Sequence, residues 1–313
     1  MSLVPANVKI RTRRYGRELA QYIIDKPEGL TSHDVVNRLR RILKTKKIGH
    51  TGTLDPFATG VLVMLVGRAT RLAQFLDKDE KAYEAVIRFG FETDTGDRTG
   101  IPRSEADNRI SITIHEIENV LTEFRGEIEQ IPPMYSAKKI DGKKLYEHAR
   151  KGAVVEREPV KITIRELELI EPIELREPDF AVRVRVVCSA GTYIRTLAED
   201  IGRAVGVGAH LQELRRTRAG GFRIEDAATL EELEESDAPL KFLRPMKEAV
   251  AHLPEFVLDA DRVEKTLKGV STRVETDDLR NGPVRMVDKE GGVIAVGLYN
   301  DSERIVRPKI VLM

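Results

Sequence analysis

The apolar positions of this chain change period several times, and each change marks an element. Leu19 to Ile24 is a short apolar run that reads as a strand, closed by the turn signal Asp25-Lys26-Pro27-Glu28-Gly29. Val35, Val36, Leu39, Ile42 and Leu43 make one helical stripe, with Thr31 or Ser32 as its cap. Val61 to Val66 is continuously apolar and reads as a buried strand, and Ala69 to Leu76 as a short helix. Lys81 to Phe91 alternates, which predicts a strand with Tyr83, Ala85, Ile87, Phe89 and Phe91 on one face. Thr93 to Gly100 is polar and reads as a loop. Helices are expected over Ile112 to Phe124 and Lys143 to Lys151, and strands over 160–170 and 180–188. Ile194, Leu197, Ala198, Ile201 and Val205 then mark the buried stripe of another helix. Beyond residue 254 the pattern becomes one helix (Ala260 to Lys268) and three short strands (Val284 to Val287, Val293 to Leu298, Ile305 to Leu312). Gly282-Pro283, Glu290-Gly291-Gly292 and Asn300-Asp301 are the expected turns.

A chain of 313 residues accommodates two domains. No apolar run reaches the ~20 residues of a membrane span. The single cysteine, Cys188, leaves no intrachain disulfide. These features fit a cytoplasmic protein. The net charge of +1 does not announce a polyanion partner, but its distribution does. Lys9, Arg11, Arg13, Arg14 and Arg17 lie in a basic arm over 1–18, of which residues 1–17 hold no acid. Arg38, Arg40, Arg41, Lys44, Lys46 and Lys47 form a second acid-free cluster. Further clusters run from Lys138 to Lys151 and over Arg215, Arg216 and Arg218. Segregated basic runs on a near-neutral chain suggest a polyanion-binding face.

Candidate chemistry centres on Gly49 to Gly60, a stretch of three glycines, three threonines, His50 and the lone carboxylate Asp55. Pro56 restricts the backbone of Asp55, so an acid is held on a stiffened loop beside a buried strand. The six histidines lack metal-ligand spacing, Asp94 and Asp97 do not complete a calcium loop, and no phosphate-binding glycine loop is present. Neither metal nor cofactor is expected. Arg195 opens a helix, where the dipole disfavours a cation, so a carboxylate partner is expected for it. Carboxylate catalysis on a polyanion is the class these parts allow.

Several dispersed segments, in order, resemble the TruB family of pseudouridine synthases. They are Asp25 to Ser32, Gly49 to Gly60, Lys81-Ala82-Tyr83, Gln130 to Lys139, Gly191-Thr192-Tyr193-Ile194-Arg195 and Gly208 to Arg216. The resemblance implies a mixed α/β (α+β) fold with a largely antiparallel central sheet and flanking helices. It implies a catalytic domain over 19–250 and a thumb-like insertion near 130–155. A small β-rich, PUA-like RNA-binding domain is expected over 251–313. It implies isomerisation of uridine 55 in the T arm of tRNA, by a monomer that needs no protein partner. Asp55 would be the catalytic carboxylate, with Arg195 as an ion-pair partner lowering its pKa. Tyr83 would stack on the uracil. Tyr193 and Leu214 would line the pocket, and His50 would contact the flipped nucleotide or fill its place. Lys26 would support the catalytic loop and Lys138 would contact RNA from the thumb. Two rivals stand beside this reading: an RNA-guided H/ACA-type synthase acting on ribosomal RNA, and a tRNA-binding folding chaperone.

Overall fold

The computed structural model describes residues 19–76, 80–103, 112–136, 138–140, 142–149, 152–153, 155–174, 180–275 and 278–312. The basic arm over 1–18 lies outside them. In chain order the first half runs β1 (Leu19–Lys26), α1 (Ser32–Ile42), β2 (Ile48–Thr51), β3 (Thr59–Val66), a 3₁₀ turn (Gly67–Leu72), α2 (Ala73–Leu76), β4 (Lys81–Phe89), α3 (Ile114–Glu123) and β5 (Gly126–Gln130). The thumb-like stretch holds β6 (Lys139–Ile140), β7 (Lys143–Lys144) and α4 (Leu145–Ala149). It is followed by β8 (Val160–Glu174), β9 (Phe180–Cys188), α5 (Ile194–Val205), β10 (Ala209–Ala219) and β11 (Phe222–Arg223). Then come α6 (Leu230–Glu235), β12 (Arg244–Pro245), α7 (Met246–Ala249), β13 (Glu255–Val257) and α8 (Ala260–Leu267). The chain closes with β14 (Thr272–Arg273), β15 (Gly282–Val287), β16 (Val293–Asn300) and β17 (Ile305–Val311).

The central sheet has the order β12-β1-β3-β10-β4-β9-β8-β5, with β2 on β3 and β11 on β10. It is mixed: β10 runs parallel to β3, while the other pairs are antiparallel. A mixed α/β architecture with a largely antiparallel sheet is therefore what the chain adopts. One apolar cluster lies under α1, α3 and α5 and includes Val35, Leu39, Tyr83, Ile87, Ile117, Leu197 and Ile201. The opposite face of β1 and β3 packs on the second sheet, of order β13-β15-β16-β17-β14. Val61, Val63 and Leu65 share one buried cluster there with Val287, Val296 and Ile310. Arg68 and Arg71 fasten this contact by donating to the carbonyls of Leu312 and Val311, at 3.3 and 2.8 Å.

Several sequence expectations shift. Residues 209–219, assigned no element, form a strand inserted between β3 and β4, so the centre of the sheet comes from a segment distant in sequence. The Gly49 to Gly60 stretch is a loop only at its middle, because Gly49 to Thr51 pair with β3 and Thr59 to Gly60 begin it. The helix expected over Lys143 to Lys151 is shorter: Lys143 and Lys144 pair with Ile140 and Lys139, and the helix spans Leu145–Ala149. Gly282-Pro283 starts β15 rather than turning. β13 reaches only Arg285 to Val287, so the absent Pro283 N–H interrupts no pairing on that side. Phe91 lies past the end of β4 and packs its ring on His210.

Candidate active site

The Asp55 loop is held by groups that reach it from β1 and α1. Thr31 caps α1 in a capping box with Asp34, which places Ser32 facing inward. Ser32 Oγ accepts the Leu54 N–H at 2.9 Å and donates to the Leu54 carbonyl at 3.1 Å. The Pro56 carbonyl accepts the Gly29 N–H at 2.8 Å and the Lys26 ammonium at 3.3 Å. Lys26 is 0 % exposed and also donates to the carbonyls of Pro27 and Leu30. Burial lowers its pKa to about 8. Lys26 therefore points into the loop it braces. Leu54, Phe57 and Ala58 are buried on either side of Asp55. The loop is thus closely packed, with Asp55 partly exposed between the more exposed Thr53 and Pro56.

Arg195 meets that carboxylate from the first turn of α5. Its Nε lies 2.9 Å from Asp55 Oδ2 and its Nη2 donates to Oδ1 at 3.4 Å. Nη1 donates to the Thr95 carbonyl at 2.8 Å and Nη2 to the Tyr135 carbonyl at 2.7 Å. The Arg195 side chain is 6 % exposed, against 35 % for Asp55. A buried arginine with a carboxylate and two carbonyls answers the dipole objection: its charge is matched across the fold instead of by solvent. Tyr193 caps this helix through its backbone. Gln130, buried at the end of β5, accepts the Tyr193 N–H at 2.7 Å and donates to its carbonyl at 3.0 Å.

A second carboxylate joins the cluster that sequence reasoning left in a polar loop. Asp97 Oδ2 lies 3.7 Å from Arg195 Nη1, and Asp97 Oδ1 accepts from Thr95, from the Thr99 N–H and from the Thr99 hydroxyl. The loop reaches this place because Arg98 N–H donates to the Leu211 carbonyl, and Leu211 N–H to the Gly96 carbonyl. Gly96, at φ +73°, passes so near α5 that a Cβ there would sit 3.1 Å from the Glu199 carboxyl carbon. No local pattern singles out Asp97; its role depends on pairing with β10, more than a hundred residues away.

Tyr83 stands on β4 between Arg216 of β10 and Val186 of β9, and is 8 % exposed. Burial raises its hydroxyl pKa, so the ring is present as the neutral phenol. Leu214 shares that face, two residues before Arg216 on β10 and opposite Ala85. His50 lies half-buried at the middle of β2, opposite Met64. Lys138 stays out of this cluster. It sits half-buried on the thumb-like stretch, where its carbonyl accepts the Leu145 N–H at 2.9 Å.

Two electrostatic expectations are corrected. Arg195 does pull the Asp55 carboxyl down, but burial outweighs it, with Asp97 adding to the rise, and the pKa lies above the ordinary carboxylate value. The charges of Arg215, Arg216 and Arg218 are largely matched by acceptors of the chain itself. Arg215 is bidentate on Asp25 (2.7 and 3.1 Å), Arg218 holds Glu80 at 2.6 Å, and Arg216 is 1 % exposed. The cluster near α1 keeps more of its charge outward: Arg41, Lys44, Lys46 and Lys47 are exposed, while Arg38 pairs with Glu234. Among the described residues, no three His, Cys, Asp or Glu side chains are grouped to hold a metal ion. No helix there is long and apolar enough to cross a membrane.

A partly buried loop carboxylate is thus matched to a buried arginine beside a strand tyrosine, on a mixed sheet. The fold is that of pseudouridine synthases. It superposes on a solved Cbf5-Nop10-Gar1 complex with a TM-score of 0.73 at 29% identity, covering 94% of this chain and 85% of that one. It matches an H/ACA RNP bound to a substrate RNA containing 2'-deoxyuridine at 0.72 and 28%, with the same coverage. The chain belongs to the TruB family: the model for the N-terminal domain of TruB family pseudouridylate synthase matches residues 40–194, and that for the tRNA pseudouridylate synthase B C-terminal domain matches 195–251. It is 46% identical over 280 residues to a tRNA pseudouridine synthase B of Solibacter usitatus (88% of this chain, 94% of that one). A protein of the same name from an Azoarcus species is 45% identical over 289 residues, 92% of each. Membership makes the chain an isomerase.

Proposed function

We propose that this protein converts uridine 55 in the T arm of tRNA to pseudouridine, with Asp55 as the catalytic carboxylate. The observation that carries the reading is the partly buried Asp55, held on a braced loop against Arg195 and beside Tyr83. The relatives named tRNA pseudouridine synthase B, matched over most of their length, support tRNA as the substrate. Isomerisation breaks the N1–C1′ bond, turns the uracil, and joins C5 to C1′. The C5 proton leaves and N1 gains one, so the atoms balance without a co-reactant. Asp55 acts in its ionised form, either attacking C1′ or taking a sugar proton. Arg195 holds the carboxylate in place, and Tyr83 stacks on the extruded base, a contact worth roughly 1–3 kcal/mol. Tyr193 and Leu214 line the base, and His50 occupies the side from which it leaves. Extrusion costs on the order of a few kcal/mol, which such filling offsets.

In this reading residues 19–250 are the catalytic domain, and 130–155 are a thumb that closes over the T loop with Lys138 on a phosphate. Residues 251–313 are a PUA-like RNA-binding domain, and the basic arm over 1–18 adds charge. The protein works in the cytoplasm as a monomer. Pseudouridine mapping on a bare T-arm transcript, with wild type and Asp55→Asn, tests it: modification by wild type alone supports the reading. The solved H/ACA neighbours favour a second reading, RNA-guided action on ribosomal RNA. That reading requires guide RNA and partner proteins for turnover, so activity on the bare hairpin would rule it out.

A further inference from the structure

Arg216 is the largest of the fully buried side chains among the described residues, and the chemistry above gives it no task. It sits where β10 pairs in parallel with β3. The backbones are so close there that a Cβ on Gly60, at φ +99°, would lie 2.2 Å from the Arg216 carbonyl oxygen. Its guanidinium extends along the sheet toward the active site. Nε donates to the Val61 carbonyl at 2.7 Å and Nη2 to the Gly52 carbonyl at 2.9 Å. Gly52 is the residue from which the Asp55 loop leaves β2. Across the β10–β4 ladder Arg216 stands directly opposite Tyr83, and its positive charge draws the Tyr83 hydroxyl pKa down against the larger rise from burial.

Burying a guanidinium is costly, and the carbonyls that accept from Arg216 offset its charge less than a carboxylate would. An apolar side chain of similar length would fill the space without that cost. What it could not do is donate to the root of the Asp55 loop and the start of β3 at once from its place opposite Tyr83. A planar fork of five donors is suited to that task.

We infer that Arg216 is a positioning residue for the reaction: it locks the Tyr83 hydroxyl to the root of the Asp55 loop and so sets the base-stacking ring relative to the carboxylate. The inference rests on the function proposed above. A misplaced ring would slow the chemical step more than it weakens RNA binding, because most RNA contacts lie elsewhere.

The test uses the full chain as wild type, Arg216→Lys, Arg216→Met, Tyr83→Phe and the corresponding double variants. Single-turnover pseudouridine formation on a T-arm hairpin, hairpin affinity and melting temperature are measured. The ¹³Cζ resonance of Tyr83 is followed in tyrosine-labelled protein and assigned through Tyr83→Phe. Arg216→Met is expected to slow the single-turnover rate by about thirtyfold or more, with hairpin affinity within about threefold and Arg216→Lys intermediate. In the Tyr83→Phe background the same substitution should cost less than about threefold, since the group it acts through is gone. The ¹³Cζ signal should move in both Arg216 variants. Rates within about twofold of wild type, an equal loss in both backgrounds, or an unmoved ¹³Cζ signal would each overturn the inference. If Arg216→Met melts too low to assay, Arg216→Lys carries the test. If Tyr83→Phe or wild type itself makes no pseudouridine, the ¹³Cζ signal still decides whether Arg216 holds Tyr83. A silent wild type would in addition overturn the proposed function.

Discussion

The Asp55 loop and the thumb-like stretch both face the same arginine, yet they are built in opposite ways. Residues 52–58 are fastened to β1 and α1 through Ser32, Gly29 and Lys26, with Leu54, Phe57 and Ala58 packed in the core. The thumb-like stretch is fastened at its base, by Gln130 on Tyr193, by the Tyr135 carbonyl on Arg195, and by Arg157 donating to the Pro132 carbonyl. Beneath it lies a cleft of about 330 Å³, lined in part by Met134, Tyr135, Arg157 and Glu199. The Asp55 loop is over-determined by buried bonds. The described bonds from the thumb-like stretch to the site lie at Gln130 and Tyr135. Arg195 belongs to both, since one guanidinium holds the carboxylate and the thumb's base.

Substitutions can sharpen this contrast. The largest effect is expected from Asp55→Asn: turnover should fall by at least about a thousandfold with RNA affinity retained, measured by single-turnover mapping and filter binding. Residual turnover near wild type would remove Asp55 from the chemistry. Arg195→Ala comes next. It leaves the Asp55 and Asp97 carboxylates without their cation, a loss of roughly 3–5 kcal/mol of stability, seen as a lower melting temperature together with a severe loss of rate. Ser32→Ala should cost about 1–3 kcal/mol by stranding the Leu54 backbone groups, and it should slow turnover without changing RNA affinity. A variant with unchanged rate would show that the loop does not need this brace.

The pH profile gives a subtler test. The Asp55 carboxyl is raised in the folded state and acts ionised, so turnover should fall on the acid side with a midpoint above the ordinary value of about 4. The sign for stability is the reverse of a salt-bridged acid. A raised folded pKa means that ionising Asp55 costs folding free energy above the unfolded pKa. Asp55→Asn should therefore melt no lower than wild type at neutral pH, and a clearly lower melting temperature would contradict the raised pKa. The smallest effect is expected outside the site. Lys46→Ala or Lys47→Ala should weaken RNA binding modestly and make it less sensitive to salt, by about one counterion for each phosphate no longer neutralised.

Much of this was legible because local chemistry dictates it. The stripe of Val35, Val36 and Leu39 behind a Thr31 cap could form little but α1, and the alternation from Lys81 to Phe89 placed Tyr83 on the core face. Pro56 marked Asp55 as a fixed carboxylate, and the misplaced charge of Arg195 demanded a partner. The sequence by itself determined these elements and singled out Asp55, Tyr83 and Arg195 as candidates. Periodicity, capping and turn chemistry act over a few residues, and dispersed motifs survive as strings. The tertiary structure alone decided which charges are spent inside. Arg215, Arg216 and Arg218 read as a surface cluster, but β10 threads between β3 and β4, buries Arg216 on the Val61 carbonyl and pairs Arg215 and Arg218 with the carboxylates of Asp25 and Glu80. Asp97 and Gln130 became part of the site in the same way, through pairings that span 63 to 114 residues. The net rise of the Asp55 pKa belongs to this second group as well, because desolvation depends on everything packed around a group rather than on its neighbours in the chain.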